Sequence, residues 1–223
     1  MASVEEIIQE LLKKALAPEN QKTKKFRQSV DLYLRFRELD LKKPENKFAS
    51  IVELSRFPQG KENKVAIITG GPLAPAARTL GVDVITREQI EAVSGNKNAA
   101  RKMIEPYDFL ISEAPLMGLV GRVFGPFLGP KDKMPVPIPP NADIGPVVSR
   151  LKKSVLIRLK TQKALSASIG TEDMTLEELR ENGMRIVSAV ELKVPNGLRA
   201  VDYITIKTTM GNPVSSRLWV KEK

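Results

Sequence analysis

The sequence predicts a mixed fold, α/β and α+β: two domains, of which a terminal α+β domain is made of both chain ends and a small α/β domain is inserted in it. Three observations predict it. Near both ends apolar and polar residues alternate, as half-buried strands require. In the middle, continuous apolar runs alternate with helical segments, the mark of βαβ units around a parallel sheet. After residue 154 the texture of the first part returns. The expected boundaries are therefore 1–65 and 155–223 for the terminal domain and 66–154 for the inserted one. A chain of 223 residues suffices for two cores of about 100 residues each.

The elements follow in order. Ser3 and Glu6 form a capping box, and Val4, Ile7, Ile8, Leu11, Leu12 and Leu16 recur at helical spacing, predicting a helix from 4 to 17 that stops near Pro18. Val30, Leu32, Leu34 and Phe36 alternate with Asp31, Tyr33 and Arg35, predicting a strand; a second runs from Phe48 to Leu54. In the middle, Val65–Ile68 and Phe109–Ile111 suit buried strands and Val82–Ile85 a third. Ala74–Leu80 suits a short helix, and Arg87–Met103 a helix broken at Gly95. Gly118, Gly121, Gly125 and Gly129 stand among six prolines up to Pro140, which predicts a long ordered loop. Ile144–Leu151 resumes a helix. Val155–Leu159 and Leu165–Ile169 alternate again, Thr175 and Glu178 form a second capping box for a helix through Leu192, and Tyr203–Met210 reads as a strand entering a turn at Gly211.

Composition excludes several functions. Without histidine or cysteine, the commonest general base, the thiol nucleophile and the soft zinc ligands are absent, and disulfides with them. The carboxylates stand mostly singly, on stretches that read as solvated helix faces. No phosphate-loop or dinucleotide fingerprint occurs; Gly70-Gly71 after the first buried strand is the nearest approach, and it carries the alternative of a nucleotide- or sugar-phosphate-binding α/β enzyme. Neither catalysis, a cofactor nor a metal site is expected. No apolar run reaches the length of a membrane span, and Glu5, Glu6 and Glu10 interrupt any leader-like pattern, so a cytoplasmic protein is expected. The 36 basic residues exceed the 26 acidic ones by ten, an imbalance that draws polyanions. Residues 66–154 hold 11 basic and 8 acidic side chains and the rest 25 and 18, which favours the terminal domain as the polyanion binder. A generic basic scaffold without RNA specificity remains a further alternative.

Two segments suit RNA. Lys22, Lys24, Lys25 and Arg27 surround Phe26, combining phosphate-neutralising charge with a ring able to pack on an unstacked base. The same segment also suits a solvated connection with Phe26 in the core. Thr208-Thr209-Met210-Gly211 offers small hydroxyls, a flexible apolar side chain and close backbone approach, which suit ribose and phosphate contacts. A plain strand end with a turn is the other reading of it.

Lys25-Phe26-x-x-Ser29-Val30, the Gly121–Pro126 segment leading to Met134-Pro135, and Thr208–Gly211 follow one another across nearly the whole chain. In that combination the chain resembles the family of large-subunit ribosomal protein L-one, the mobile-stalk protein beside the tRNA exit site. Gly129-Pro130-Lys131-Asp132 and Met210-Gly211-Asn212-Pro213 resemble its archaeal branch. The lack of histidine and cysteine, with abundant Lys, Glu and Ile, suits a thermophile. The resemblance implies a terminal domain that binds stalk rRNA and an inserted Rossmann-like domain, with a hinge between them. It also implies an rRNA surface of Lys24, Lys25, Phe26, Ser29, Thr208, Thr209, Met210 and Gly211. The further partners it implies are exit-site tRNA, whose release the family assists, and the mRNA of its own operon, whose translation the family represses. The free protein is expected to be a monomer.

Overall fold

The computed structural model describes residues 3–20, 25–37, 39–71, 73–140 and 142–218. The chain separates into two compact units, the first comprising residues 1–61 with 154–223 and the second residues 62–153.

In the first unit, helix α1 (Val4–Ala15) starts at the Ser3–Glu6 capping box, and strand β1 (Ser29–Phe36) follows. Strand β2 (Phe48–Glu53) completes the N-terminal part. From residue 154 come β7 (Ser154–Leu159), β8 (Ala164–Thr171), helix α7 (Leu176–Glu191), β9 (Val201–Thr208) and β10 (Val214–Arg217). One antiparallel sheet has the order β10-β9-β1-β8, and β2 pairs with β7 in a separate antiparallel ribbon.

Strand alternation divides the four-stranded sheet into two faces. Val30, Leu32, Leu34, Leu165, Ile204 and Ile206 are at most 1% exposed and share one apolar cluster with Ile8 and Leu12 of α1 and Ile186 and Val190 of α7. Each such aliphatic side chain contributes about 1.5–3 kcal/mol on leaving water. The opposite face carries Asp31, Tyr33, Arg35, Ser166, Ser168, Tyr203, Thr205 and Lys207, all at least partly exposed. It is polar, whereas α1 and α7 contribute to the apolar cluster on the other side. A bulge between Val30 and Asp31 faces Gly170 of β8, where a Cβ would fall 2.6 Å from both Leu179 and Met174. The positive φ of 157° and the packing of Leu179 and Met174 together favour glycine there.

The second unit is a parallel sheet in the order β4-β3-β5-β6, formed by β3 (Val65–Thr69), β4 (Asp83–Thr86), β5 (Phe109–Glu113) and β6 (Val136–Ile138). Every residue of β3 and β5 is buried, the apolar runs Val65–Ile68 and Phe109–Ile111 as expected and Thr69, Ser112 and Glu113 with them. Helices α2 (Ala74–Thr79), α3 (Arg87–Val93), α4 (Lys97–Ile104) and α6 (Ile144–Lys152) lie where helical segments are predicted; the expected break at Gly95 separates α3 from α4. Pro137, without an N–H, sits on the edge strand β6.

The predicted long loop is corrected. Met117–Leu128 is helix α5, with Pro126 inside it, and only the stretch after it is irregular around β6. Val120, Val123, Phe124 and Leu128, spaced as one helical stripe, are at most 9% exposed and pack with Ile90, Ile104 and Leu110. Burial of that stripe offsets the local cost of three glycines and a proline, which is about 1 kcal/mol per glycine and about 3 for the proline. Among the described residues no helix is long and apolar enough to cross a membrane, and no group of acidic side chains could hold a metal ion.

Candidate nucleic-acid interface

Thr209 follows the end of β9, and its partner across the sheet is the first residue of β1. The Thr209 N–H donates to the Ser29 carbonyl (3.0 Å), and the Ser29 N–H donates to Thr209 Oγ1 (3.1 Å). Next to this pair the Met210 N–H donates to Gln28 Oε1 (3.0 Å). Gln28 is 2% exposed and is gripped in turn by Glu172, whose carboxylate accepts both the Gln28 N–H and its side-chain amide at 3.0 Å. The backbone of the C-terminal turn is thus locked to the N-terminal strand by a buried amide.

The turn closes on itself. The Gly211 N–H donates to the Thr208 carbonyl (3.2 Å) and to Thr208 Oγ1 (3.1 Å), and the Asn212 N–H reaches the Asn20 carbonyl (3.4 Å). Thr208 is fully buried, so its hydroxyl is spent inside the turn and is not offered to a ligand. Gly211 is buried as well. These two residues shape the turn from within, unlike the outward-facing role the sequence suggests for the four as a set.

What the turn presents is Thr209 and Met210. Met210 is 43% exposed and Phe26 49%, both large apolar side chains standing in water. Phe26 is therefore not a core residue. Lys25 is exposed beside it, while Lys22 and Lys24 lie outside the described residues. Arg27 is tethered: it pairs with Asp173 (3.1 Å) and donates to the Gln59 carbonyl (2.6 Å).

Two cations missed by motif reading complete the surface. Lys61 donates to Ser29 Oγ (2.9 Å), and Lys207 stands opposite Asp31 on the polar face. Lys207 and Thr209 share strand parity, as do Asp31 and Ser29, which is the sequence signal that could have drawn Lys207 in; Lys61 lies between strands and carries none. Burial pushes the Asp31 carboxyl above its ordinary range; the neighbouring Ser168 hydroxyl and the charges of Lys207 and Lys61 favour the ionised form but do not overcome it. The folded protein thus holds that proton more tightly than the unfolded chain, and the ionised carboxylate costs stability at neutral pH. Asp31→Asn is expected to be more stable than the parent at pH 7. The gain should shrink as the pH falls through the raised range and be gone below the ordinary value of 3.8, which urea titrations across pH would follow.

The glycine pair of the second unit offers no comparable site. Gly70 N–H donates to Glu113 Oε2 (3.0 Å), and Thr69 Oγ1 donates to the other carboxylate oxygen. Glu113 is 5% exposed, an exception to the expectation of solvated carboxylates. A phosphate entering here would meet a buried carboxylate instead of free N–H groups.

Comparison with known proteins bears on the whole chain. The model of the ribosomal protein L1p/L10e family matches residues 12–212. The chain belongs to this family. Among curated members of the L1p/L10e kind, the "large ribosomal subunit protein uL1" of Pyrobaculum islandicum is 44% identical over 215 residues, covering 95% of this chain and 94% of that one. Its namesake in Pyrococcus horikoshii is 41% identical over 215 residues, 96% and 97% of the two chains. That of Thermococcus kodakarensis is 43% identical over 194 residues, 86% and 89%. The archaeal character expected from the two proline-containing turns agrees with these relatives. L1p/L10e proteins are ribosomal components, so the chain is not an enzyme, and the nucleotide-binding enzyme reading falls away.

Proposed function

We propose that this chain is a structural protein of the large ribosomal subunit, working in the cytoplasm, that binds stalk rRNA through the unit built from its two ends. The observation that supports it best is the pair of exposed apolar side chains, Phe26 and Met210, set in a basic polar surface around the hydrogen-bonded Ser29–Thr209 pair. Water-exposed apolar groups beside fixed hydroxyls and amides suit unstacked bases and ribose edges, and the surrounding lysines suit phosphates. In this reading Lys24, Lys25, Phe26, Ser29, Thr209 and Met210 touch RNA, while Thr208 and Gly211 hold the turn in shape. Residues 66–154 form a Rossmann-like domain inserted in the RNA-binding one, and the free protein is a monomer. By family likeness, the protein also assists release of deacylated tRNA from the exit site and represses translation by binding its own mRNA.

Affinity for a stalk rRNA fragment tests it, with an unrelated structured RNA as competitor. Thr209→Val should weaken binding by more than about 1 kcal/mol, the loss typical of a hydrogen bond left unmade, and Met210→Asp by a similar amount, through lost apolar contact and repulsion from phosphate, with the fold retained in both. Parent affinity in both variants would remove the surface. Equal binding of both RNAs would instead favour a scaffold without specificity.

A further inference from the structure

The polar face of the four-stranded sheet does not end near Thr209. Arg217, Tyr203 and Arg35 stand directly across from one another on β10, β9 and β1. Both guanidinium carbons lie over the tyrosine ring, 5.6 Å and 5.5 Å from its centre, and Arg217 Nε also pairs with Asp202 (3.1 Å). Tyr33, 37% exposed, and a Thr205–Ser215 hydroxyl bond of 2.8 Å fill the row between this stack and Lys207. Beyond the stack, a cleft of about 700 Å³ opens where β1 ends and β9 begins, lined by Arg37, Lys43 and Arg199 together with Asp40 and Glu45. Asp40 is engaged in its own turn, accepting the Lys42 N–H at 2.9 Å. Among the described residues no ion pair engages Arg37, Lys43 or Arg199. The β7–β8 turn brings the Lys163 backbone to the same end, 2.8 Å from the Phe36 N–H.

A face carrying arginines pre-oriented over tyrosine, hydroxyls, and then a cleft with these three cations fits a polyanion better than a folded acidic protein. Guanidinium groups fixed by stacking lose little freedom on gripping phosphate, and a ring flanked by them suits a ribose or base. We infer that this end of the first unit is a second phosphate-binding site, at which Arg37, Lys43 and Arg199 with the Arg35–Tyr203–Arg217 stack grip the backbone of the RNA whose bases meet the Thr209 turn. Ser29 and Arg37 are eight residues apart on extended chain, roughly 25 Å, so the two sites engage separate parts of that RNA. The inference rests on the RNA-binding reading of the first unit but on different residues.

The test is a salt titration of binding to the stalk rRNA fragment. Each phosphate that is no longer neutralised lowers the slope of log affinity against log salt by about 0.7–0.9, so Arg37→Gln/Lys43→Gln/Arg199→Gln should lower it by about 2 and weaken binding tenfold to a hundredfold at roughly 0.15 M salt. Arg35→Gln, which spares the cleft and the Arg217–Asp202 pair, should lower the slope by about 0.7–0.9 and serves if the triple variant fails to fold. An unchanged slope and affinity in either variant with the parent's thermal midpoint would overturn the second site. So would polyglutamate bound as tightly as the RNA and equally sensitive to the triple variant, which would assign the cleft to an acidic protein. Thr209→Val should weaken binding without changing the slope; its failure would strike the turn alone and leave the slope result standing.

Discussion

Gly211→Ala is expected to cost about 3 kcal/mol of stability and to lower RNA affinity at least tenfold. A Cβ at this position would lie 2.2 Å from Thr208 Oγ1 and 2.9 Å from the Asn20 carbonyl oxygen. Neither neighbour can retreat cheaply. The threonine is fully buried, with its hydroxyl accepting the Gly211 N–H, and the Asn20 carbonyl accepts the Asn212 N–H. Forcing a methyl group into a packed site costs about 1–3 kcal/mol or more, and here two hydrogen bonds go with it. Because the same turn carries Met210 N–H to Gln28, displacement would move the side chains proposed to meet RNA. Gly121→Ala is the control: it lies inside α5 with nothing within 4 Å of its Cβ, and should gain about 1 kcal/mol from helix propensity. Thermal unfolding of both variants, with RNA titration of the first, reads the difference.

Asn182→Leu is expected to cost between about 3 and 5 kcal/mol, by loss of one buried side chain's three hydrogen bonds. Asn182 is fully buried in α7. Its amide donates to the carbonyls of Arg56 (2.7 Å) and Ile169 (2.8 Å), and its oxygen accepts the Arg56 N–H (3.1 Å). One side chain thereby ties the helix to β8 and to the segment after β2. Leucine keeps the branched outline but is bulkier, and it leaves three backbone groups without partners. Urea unfolding should show a lower midpoint with an unchanged slope, since the surface exposed on unfolding stays the same. A midpoint equal to the parent's would mean that water or a shifted backbone replaces all three bonds.

What could be read from the sequence depends on how local the cause is. The alternation of Val30, Leu32, Leu34 and Phe36 with Asp31, Tyr33 and Arg35 reports directly which face of β1 is buried. The two capping boxes mark α1 and α7 because donor and acceptor lie three residues apart. Helix α5 failed to show because its glycines and Pro126 argue locally against a helix, and only packing against α3 and α4 decides otherwise. Its apolar stripe at 120, 123, 124 and 128 was the signal, outweighed by composition. Strand β10, four residues just after Pro213, has too short a pattern to stand out. At the candidate interface, the Phe26 and Thr209–Met210 segments carry recognisable residue types. Gln28 does not: its role depends on Met210, 182 residues away, and Glu172, 144 residues away. Such pairings exist only once β1 has its register between β8 and β9.

During synthesis, that register imposes an order of events. Residues 62–153 are continuous, so the parallel-stranded unit can close on itself as soon as it leaves the exit tunnel. Strand β1 must wait for β8 and β9, which are made only after the whole parallel-stranded unit. A nascent chain halted before residue 201 therefore lacks β9, and without it β1 has no partner on that side and the turn at Thr208–Gly211 cannot form.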